Sequence, residues 1–205
     1  MGAPGLTTGL RAETFDNLQL NAGVLLKNFE YASTTDATAL KTAIRTAITG
    51  GAILGATRGG GEFHVTRETR DPDIDGKRYA YKGGTFVDSA DAYLNTTLVE
   101  VTPDNIKVLL GTGEATTSGK KTTIKMRTAI TDDDYLTNIC WAGDLADGRL
   151  VLIVIKNALN TADFTLTYKD KDEGTLAAEF HAHQESFDDY DYAPFEVVFF
   201  DMPSQ

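Results

Sequence analysis

Apolar residues recur with a helical period near the start of the chain. From Leu40 onward they occupy positions i, i+3, i+4, i+7 and i+8, which is typical of an amphipathic helix. Helix N-caps favour short oxygen-bearing side chains, and Thr34, Thr35 or Asp36 meets that requirement. The pattern therefore predicts a helix over about residues 36–49.

A second, shorter helix is predicted over about residues 102–110. Thr102 fits the N-cap, and Pro103 fits the first helical position, where the missing N–H has no consequence. Ile106 and Leu109 then fall on one side and are expected to pack against the rest of the protein.

The remaining apolar positions alternate with a period of two or form short runs separated by turn residues, which favours strands. The predicted strands include Leu18–Leu26, a run around Phe63 and Val65, a run around Leu98, Thr122–Thr128, Asn138–Ala142, Leu150–Ile155, Phe164–Tyr168, Leu176–His183 and Phe195–Phe200. Short strands at this spacing predict a mainly β fold, a β-barrel or sandwich flanked by the two helices. The expected core strand residues are Ile124, Met126, Trp141, Leu152, Val154, Phe164, Leu166, Phe180 and Val197.

The first 17 residues are rich in Gly, Pro and Thr and lack apolar periodicity, so a flexible N-terminal arm (1–17) and a single β-domain (18–205) are expected. The longest apolar run, Leu150–Ile155, is far shorter than the ~20 residues of a membrane span. The N-terminus also lacks the apolar stretch of a signal peptide. We expect no membrane association.

The net charge of the chain bears on whether nucleic acid can be a binding partner. The 205 residues include 19 basic and 30 acidic ones, so the formal net charge is 19 − 30 = −11. A surface with this net negative charge repels phosphate groups, which argues against a protein that binds nucleic acid electrostatically. Transient contact with DNA, without stable binding, is still compatible with this net charge.

One local pattern is typical of a metal site. Asp71, Asp73, Asp75 and Gly76 match the first half of an EF-hand calcium loop. The twelfth position, which needs a bidentate Glu, is Lys82, so we interpret the segment as a solvated acidic loop. The rival function is nevertheless a monomeric or small-oligomer β-sandwich binding module, with calcium binding through Asp71, Asp73 and Asp75 as one option.

No catalytic constellation is evident. His181 and His183 are two apart on a predicted strand, so His64 is a conceivable third zinc ligand, but no spacing supports it. Cys140 lies among apolar residues and has no visible base. We therefore expect neither an enzyme nor a cofactor or metal site.

Several stretches, taken in order from about residue 20 to 200, carry a resemblance to a known family. They are Asn21-Ala22-Gly23-Val24-Leu25-Leu26-Lys27-Asn28-Phe29, Leu54-Gly55-Ala56-Thr57, Val101-Thr102-Pro103-Asp104, Leu109-Leu110-Gly111, Trp141-Ala142-Gly143-Asp144, Lys156-Asn157-Ala158-Leu159, Phe180 and Pro194-Phe195-Glu196. Together they resemble the major tail tube proteins of long-tailed, non-contractile bacteriophages and related prophages. Relative to that pattern, Asp36–Ile48 is an insertion.

The resemblance implies a structural subunit that forms hexameric rings, stacked into a tube that conducts DNA during genome ejection. The implied partners are further copies of the chain, a tape measure protein, and the tail terminator and tip proteins. DNA would pass without sequence-specific contacts. The implied location is the virion tail, assembled in the cytoplasm of the bacterial host.

Two groups of site residues follow from this interpretation. The segment Arg67–Lys82 carries both signs of charge and is expected to order between stacked rings; its candidate contacts are Arg67, Arg70, Asp71, Asp73, Asp75, Lys77 and Arg78. In the tail tube family the early strands contribute to the inner barrel. That implies an acidic lumen wall with candidates Glu62, Glu68, Asp88 and Glu100.

Overall fold

The structure is a computed structural model, and it describes residues 9–19, 21–188 and 191–202. The helices are α1 (Ala37–Thr49) and α2 (Pro103–Leu109), with 3-10 turns at Ala12–Thr14 and Asp132–Asp134. The strands are β1 (Val24–Lys27), β2 (Thr57–Arg70), β3 (Phe86–Leu98), β4 (Gly113–Ser118), β5 (Lys121–Met126), β6 (Leu136–Asp144), β7 (Leu150–Asn160), β8 (Leu166–Lys169), β9 (Asp172–His181) and β10 (Phe195–Phe200). The predicted mainly β fold with two helices is confirmed.

The chain divides into two compact units. The first comprises residues 1–54, 138–154 and 196–205, as far as they are described, and the second comprises residues 55–137 and 155–195. Strand β7 contributes its beginning to the first unit and its end to the second.

The first unit packs helix α1 over strands β1, β6 and the start of β7. Asp36 caps the helix, because its Oδ1 accepts from the backbone N–H of Thr38 at 2.8 Å and of Ala39 at 2.9 Å. The periodic residues Leu40 and Ile44 then lie in a buried cluster with the strand residues of this unit. This cluster comprises Leu26, Phe29, Ala37, Leu40, Ile44, Cys140, Ala142, Leu150, Leu152, Val154 and Phe200.

The second unit is built on an antiparallel sheet in the order β7, β9, β3, β2, with β8 also paired to β9. Helix α2 begins where predicted, since Thr102 Oγ1 accepts from Asn105 N at 3.1 Å. On one face of the sheet, Leu94, Leu98, Leu176 and Phe180 are buried. Strands β4 and β5 form a separate two-stranded sheet.

Of the two expected architectures, barrel or sandwich, the described strands form no closed barrel. Among the described strands, β2 pairs only with β3, so that edge of the sheet is open. The outer edge of β1 is occupied, since Lys27 N donates to the Ala52 carbonyl at 2.8 Å and Leu54 N donates to the Leu25 carbonyl at 3.1 Å. The first strand is also shorter than predicted, beginning at Val24 instead of Leu18. Gly23 adopts φ 74°, which is not an extended conformation, and a Cβ there would lie 2.5 Å from Trp141 Nε1.

The predicted core is correct for Leu152, Val154 and Phe180, all of which are fully buried. It is wrong for Met126, Val197 and Phe164, which are 62%, 43% and 36% exposed. Alternation marks the two faces of a strand but does not tell which face another element covers. The remaining predicted strand residues, Ile124, Trp141 and Leu166, are half-buried.

Candidate functional site

The longest feature of the second unit is the β2–β3 hairpin. The two strands pair from Thr57 and Leu98 out to Arg70 and Phe86, whereas β9 pairs with β3 only from Tyr93 to Leu98. The outer part of the hairpin therefore continues beyond the ladder with β9, and residues 65–70 and 86–90 are all exposed.

Alternation divides this sheet into an apolar face and a polar face. Register places Glu62, His64 and Glu68 of β2 opposite Asn95, Tyr93 and Ser89 of β3, and Tyr93 and Asn95 opposite His181 and Glu179 of β9. These positions alternate with the buried Leu94 and Phe180. We call the surface formed by Glu62, His64, Glu68, Asp91, Tyr93, Glu179 and His181 the polar face.

Three rings stack across the polar face. The ring centroids of His64 and Tyr93 are 4.8 Å apart with an interplanar angle of 14°, and those of Tyr93 and His181 are 5.0 Å apart with an angle of 23°. Carboxylates flank the stack at both ends. Glu62 Oε2 lies 2.9 Å from His64 Nε2 at one end, within β2, and the ring contacts run from β2 through β3 to β9.

At the other end, His181 lies between two acids. Its Nδ1 is 2.9 Å from Asp91 Oδ2 and its Nε2 is 3.1 Å from Glu179 Oε1. Only the imidazolium form donates from both nitrogens. Burial lowers the pKa of His181, but the bonds to Asp91 and Glu179 outweigh it and raise this pKa above 6.5. The hydrogen bond from His64 likewise lowers the pKa of Glu62.

The four lumen candidates do not lie together. Glu62 and Glu68 are on the polar face, and Glu68 Oε2 accepts from Ser89 Oγ at 3.2 Å. Asp88 lies at a register shift in the hairpin and pairs with Arg70 at 3.2 Å. Glu100 follows β3, and its Oε1 accepts from Ala56 N at 2.7 Å, so it secures the chain ahead of β2.

Sequence reasoning missed the acids that surround His181. Asp91 is two residues from Tyr93, and Glu179 is two residues from His181, so each acid shares a strand face with a ring of the stack. That spacing could have identified the two acids from the sequence. The pairing of β3 with β9, which joins them, depends on residues about 90 positions apart and has no local signature.

The predicted stacking segment is partly strand. Arg67 and Arg70 belong to β2, and the connection between β2 and β3 spans residues 71–85. Its apolar side chains are exposed: Ile74 by 64%, Tyr79 by 80% and Tyr81 by 65%. The loop and the first residue of β3 form a groove of about 480 Å³, which is lined by Pro72, Ile74, Asp75, Gly76, Lys77, Tyr81, Gly84 and Phe86.

The acidic motif of this loop forms an ion pair with the lysine that follows it. The ammonium group of Lys77 pairs with Asp71, the first residue of the calcium-like pattern, and donates to the Pro72 carbonyl at 2.9 Å. Among the described residues there is no group of three or more His, Cys, Asp or Glu side chains placed to hold a metal ion.

The other candidate side chains are separate from one another. His183 lies beyond the end of β9, its Nδ1 is 3.0 Å from the Asn157 carbonyl oxygen, and its ring contacts Tyr135. The expectation that His181 and His183 share a strand is therefore wrong. Cys140 is buried in the other unit, and this burial, with the nearby Glu196, raises its pKa to about 12.

No helix within residues 9–19, 21–188 and 191–202 has the length and apolar content needed to span a bilayer. No protein-family model and no curated protein sequence matches the chain.

Proposed function

We propose that this protein is the structural subunit of a phage-type tail tube, forming stacked hexameric rings around a lumen that conducts DNA. The observation that carries the proposal is the β2–β3 hairpin. Its outer part is paired along its length yet exposed on both faces, and it ends in a loop of mixed charge. An element of this kind suits contact with another copy of the chain.

The hairpin loop supplies both attraction and specificity for such a contact. Exposed Ile74, Tyr79 and Tyr81 offer apolar area to bury, and Asp73, Asp75 and Arg78 offer charges of both signs. Aromatic anchors surrounded by a charged rim are typical of protein interfaces. Stacking through Arg67, Arg70, Asp71, Asp73, Asp75, Lys77 and Arg78 remains our proposal.

The open edge of β2 supports ring formation. Strand β2 has β3 as its only strand neighbour among the described residues, so its outer edge presents backbone groups to a neighbouring chain. A head-to-tail contact that closes by rotation gives a ring, and matching ring faces give a stack.

The polar face suits the wall of a DNA channel. It carries Glu62, Glu68, Asp91 and Glu179, and we propose that it faces the lumen together with Asp88. An acidic wall repels the duplex, and salt limits that repulsion to about 8 Å, so DNA would pass without being bound. Glu100 is bonded to the backbone at Ala56, which makes it a weaker candidate.

The test is removal of Asp71–Gly76 from the hairpin loop. We expect the shortened chain to keep its circular dichroism spectrum and cooperative melt but to form no long tubes in negative-stain images. Replacing the same six residues with glycine and serine keeps the length and removes the side chains, and we expect the same loss. Tubes of normal length from both variants would overturn the stacking role of the loop.

The same samples test the calcium-dependent binding module. That alternative predicts a compact monomer whose melting temperature rises on addition of calcium. The ion pair between Lys77 and Asp71 leads us to expect no such rise.

A further inference from the structure

The β4–β5 hairpin is an element that the tube proposal does not yet use. Residues 113–126 pair in register from Gly113 with Met126 to Ser118 with Lys121, and they form a two-stranded sheet of their own. Gly119, at φ 61°, makes the tight turn. Two-stranded hairpins are only marginally stable alone in water, so this one depends on support from elsewhere.

The support within the chain is confined to the base of the hairpin. Thr112 and Arg127 exchange hydrogen bonds of 3.0 and 2.7 Å just below the two strands. Arg127 Nε also lies 2.9 Å from Glu114 Oε1, and the guanidinium pairs with Asp134. Gly113 packs so closely on α2 that a Cβ would lie 2.5 Å from the Lys107 carbonyl oxygen. Beyond this base, residues 114–122 are all exposed.

The outer part of the hairpin is basic on an acidic protein. Lys120, Lys121 and Lys125 outnumber Glu114, so residues 113–126 carry 3 − 1 = +2 while the whole chain carries −11. Within the described parts of the chain, none of the three ammonium groups has an ion-pair or hydrogen-bond partner. We call residues 113–126 the basic hairpin.

We propose that the basic hairpin is an interaction element that docks on an acidic surface of a second copy of this chain. Charge complementarity favours that partner, since an excess of eleven negative charges is spread over the same protein. The hairpin also presents free strand edges and a row of Thr hydroxyls, which suit strand addition. In the described residues, exposed acids without an ion-pair partner that offer docking points include Asp132, Asp133, Asp163 and Asp170.

The experiment compares two double reversals of equal charge. K121E/K125E changes the hairpin, and K169E/K171E changes exposed lysines at the β8–β9 turn, so both variants carry a net charge of −11 − 4 = −15. Self-association of the full chain is measured by sedimentation velocity from about 50 to about 500 mM NaCl, a range that shortens the Debye length severalfold.

We expect K121E/K125E to weaken self-association about tenfold at the lowest salt, while K169E/K171E changes it less than about twofold. We also expect wild-type association to weaken with salt and that of K121E/K125E to respond little. If both variants weaken self-association equally, the cause is repulsion between the more negative chains and not loss of the hairpin lysines. That result would overturn the proposal. If neither variant changes self-association, the lysines serve only to keep the free strand edges from pairing with other chains. That result also overturns the proposal.

Two further measurements keep the test decisive. K121Q/K125Q removes the charges without reversing them, and it replaces the Glu variant if circular dichroism shows that variant to be unfolded. A gel shift with duplex DNA tests the other polyanion: binding that is lost in K121E/K125E, with self-association unchanged, would make the hairpin a nucleic-acid contact instead.

This inference rests on the proposed function only in requiring that copies of the chain associate. If wild-type protein stays monomeric at every concentration, the tube proposal fails along with it. If wild-type protein assembles and K121E/K125E assembles equally well, only the role of the basic hairpin fails.

Discussion

At the scale of residues, two phenylalanines expected in the core are in different environments. Phe180 is 1% exposed on β9, whereas Phe164 is 36% exposed ahead of β8. We expect Phe180→Ala to cost about 3–5 kcal/mol of unfolding free energy and Phe164→Ala about 1 kcal/mol or less. Urea unfolding of the two variants checks this, and equal losses would contradict the burial of Phe180.

His181 gives the protein a pH dependence of known sign. Its pKa in the folded state is above the ordinary 6.5, so its stabilising contribution is complete below pH 6.5 and is lost as pH rises through the folded value. We expect the wild-type unfolding free energy to fall more steeply above pH 6.5 than that of His181→Gln. His183→Gln is the matched control, because its ring bonds to the Asn157 carbonyl. A wild-type slope unchanged by His181→Gln would contradict the bonds to Asp91 and Glu179.

The burial and contacts of a side chain were predictable where neighbouring residues in the sequence determine them. They were not predictable where pairing with a distant strand or packing against another element determines them. Leu152 and Val154 were recognisable because an apolar run on a strand is buried on both faces. Met126 alternates correctly with Ile124 on β5, but Ile124 is half-buried whereas the Met126 side chain is 62% exposed. The sequence marks His181 only as a metal candidate, because Asp91 reaches it through the pairing of β3 with β9, although Glu179 is two residues away on β9 itself.

At the scale of elements, the helices were the most predictable part of the fold, because a helix and its caps are set by neighbouring residues. Asp36 and Thr102 each accept backbone N–H groups where the sequence places a cap. The sequence predicts a strand around Phe63 and Val65 but not the long β2–β3 hairpin, because apolar residues are sparse in its outer part and Val65, Phe86 and Val87 are exposed there.

The cap of α2 supports a direct test. Thr102→Ala removes the acceptor for Asn105 N, and we expect a loss of about 0.5–2 kcal/mol in unfolding free energy. Thr102→Ser retains a hydroxyl at the same place and should stay close to wild type. If chemical denaturation shows the same loss for both, the hydroxyl contributes nothing and the effect comes from the lost methyl group.

At the scale of the whole molecule, three surfaces of one subunit have separate roles in the proposed tube. The polar face suits a channel wall, the loop at residues 71–85 suits contact between rings, and the open β2 edge suits contact within a ring. The loop is exposed in the single chain, and the polar face is partly exposed. A tube would bury the loop and the β2 edge and leave the polar face in contact with solvent and DNA, with no requirement for an active site.

The most direct test is a cryo-electron microscopy reconstruction of the assemblies that the purified full-length chain forms. We expect a hollow tube of stacked hexameric rings, with Glu62 and Glu68 on the inner wall and the loop of residues 71–85 in contact with the next ring. A protein that remains monomeric at every concentration, or a tube that carries the polar face on its outer surface, would contradict the proposed function.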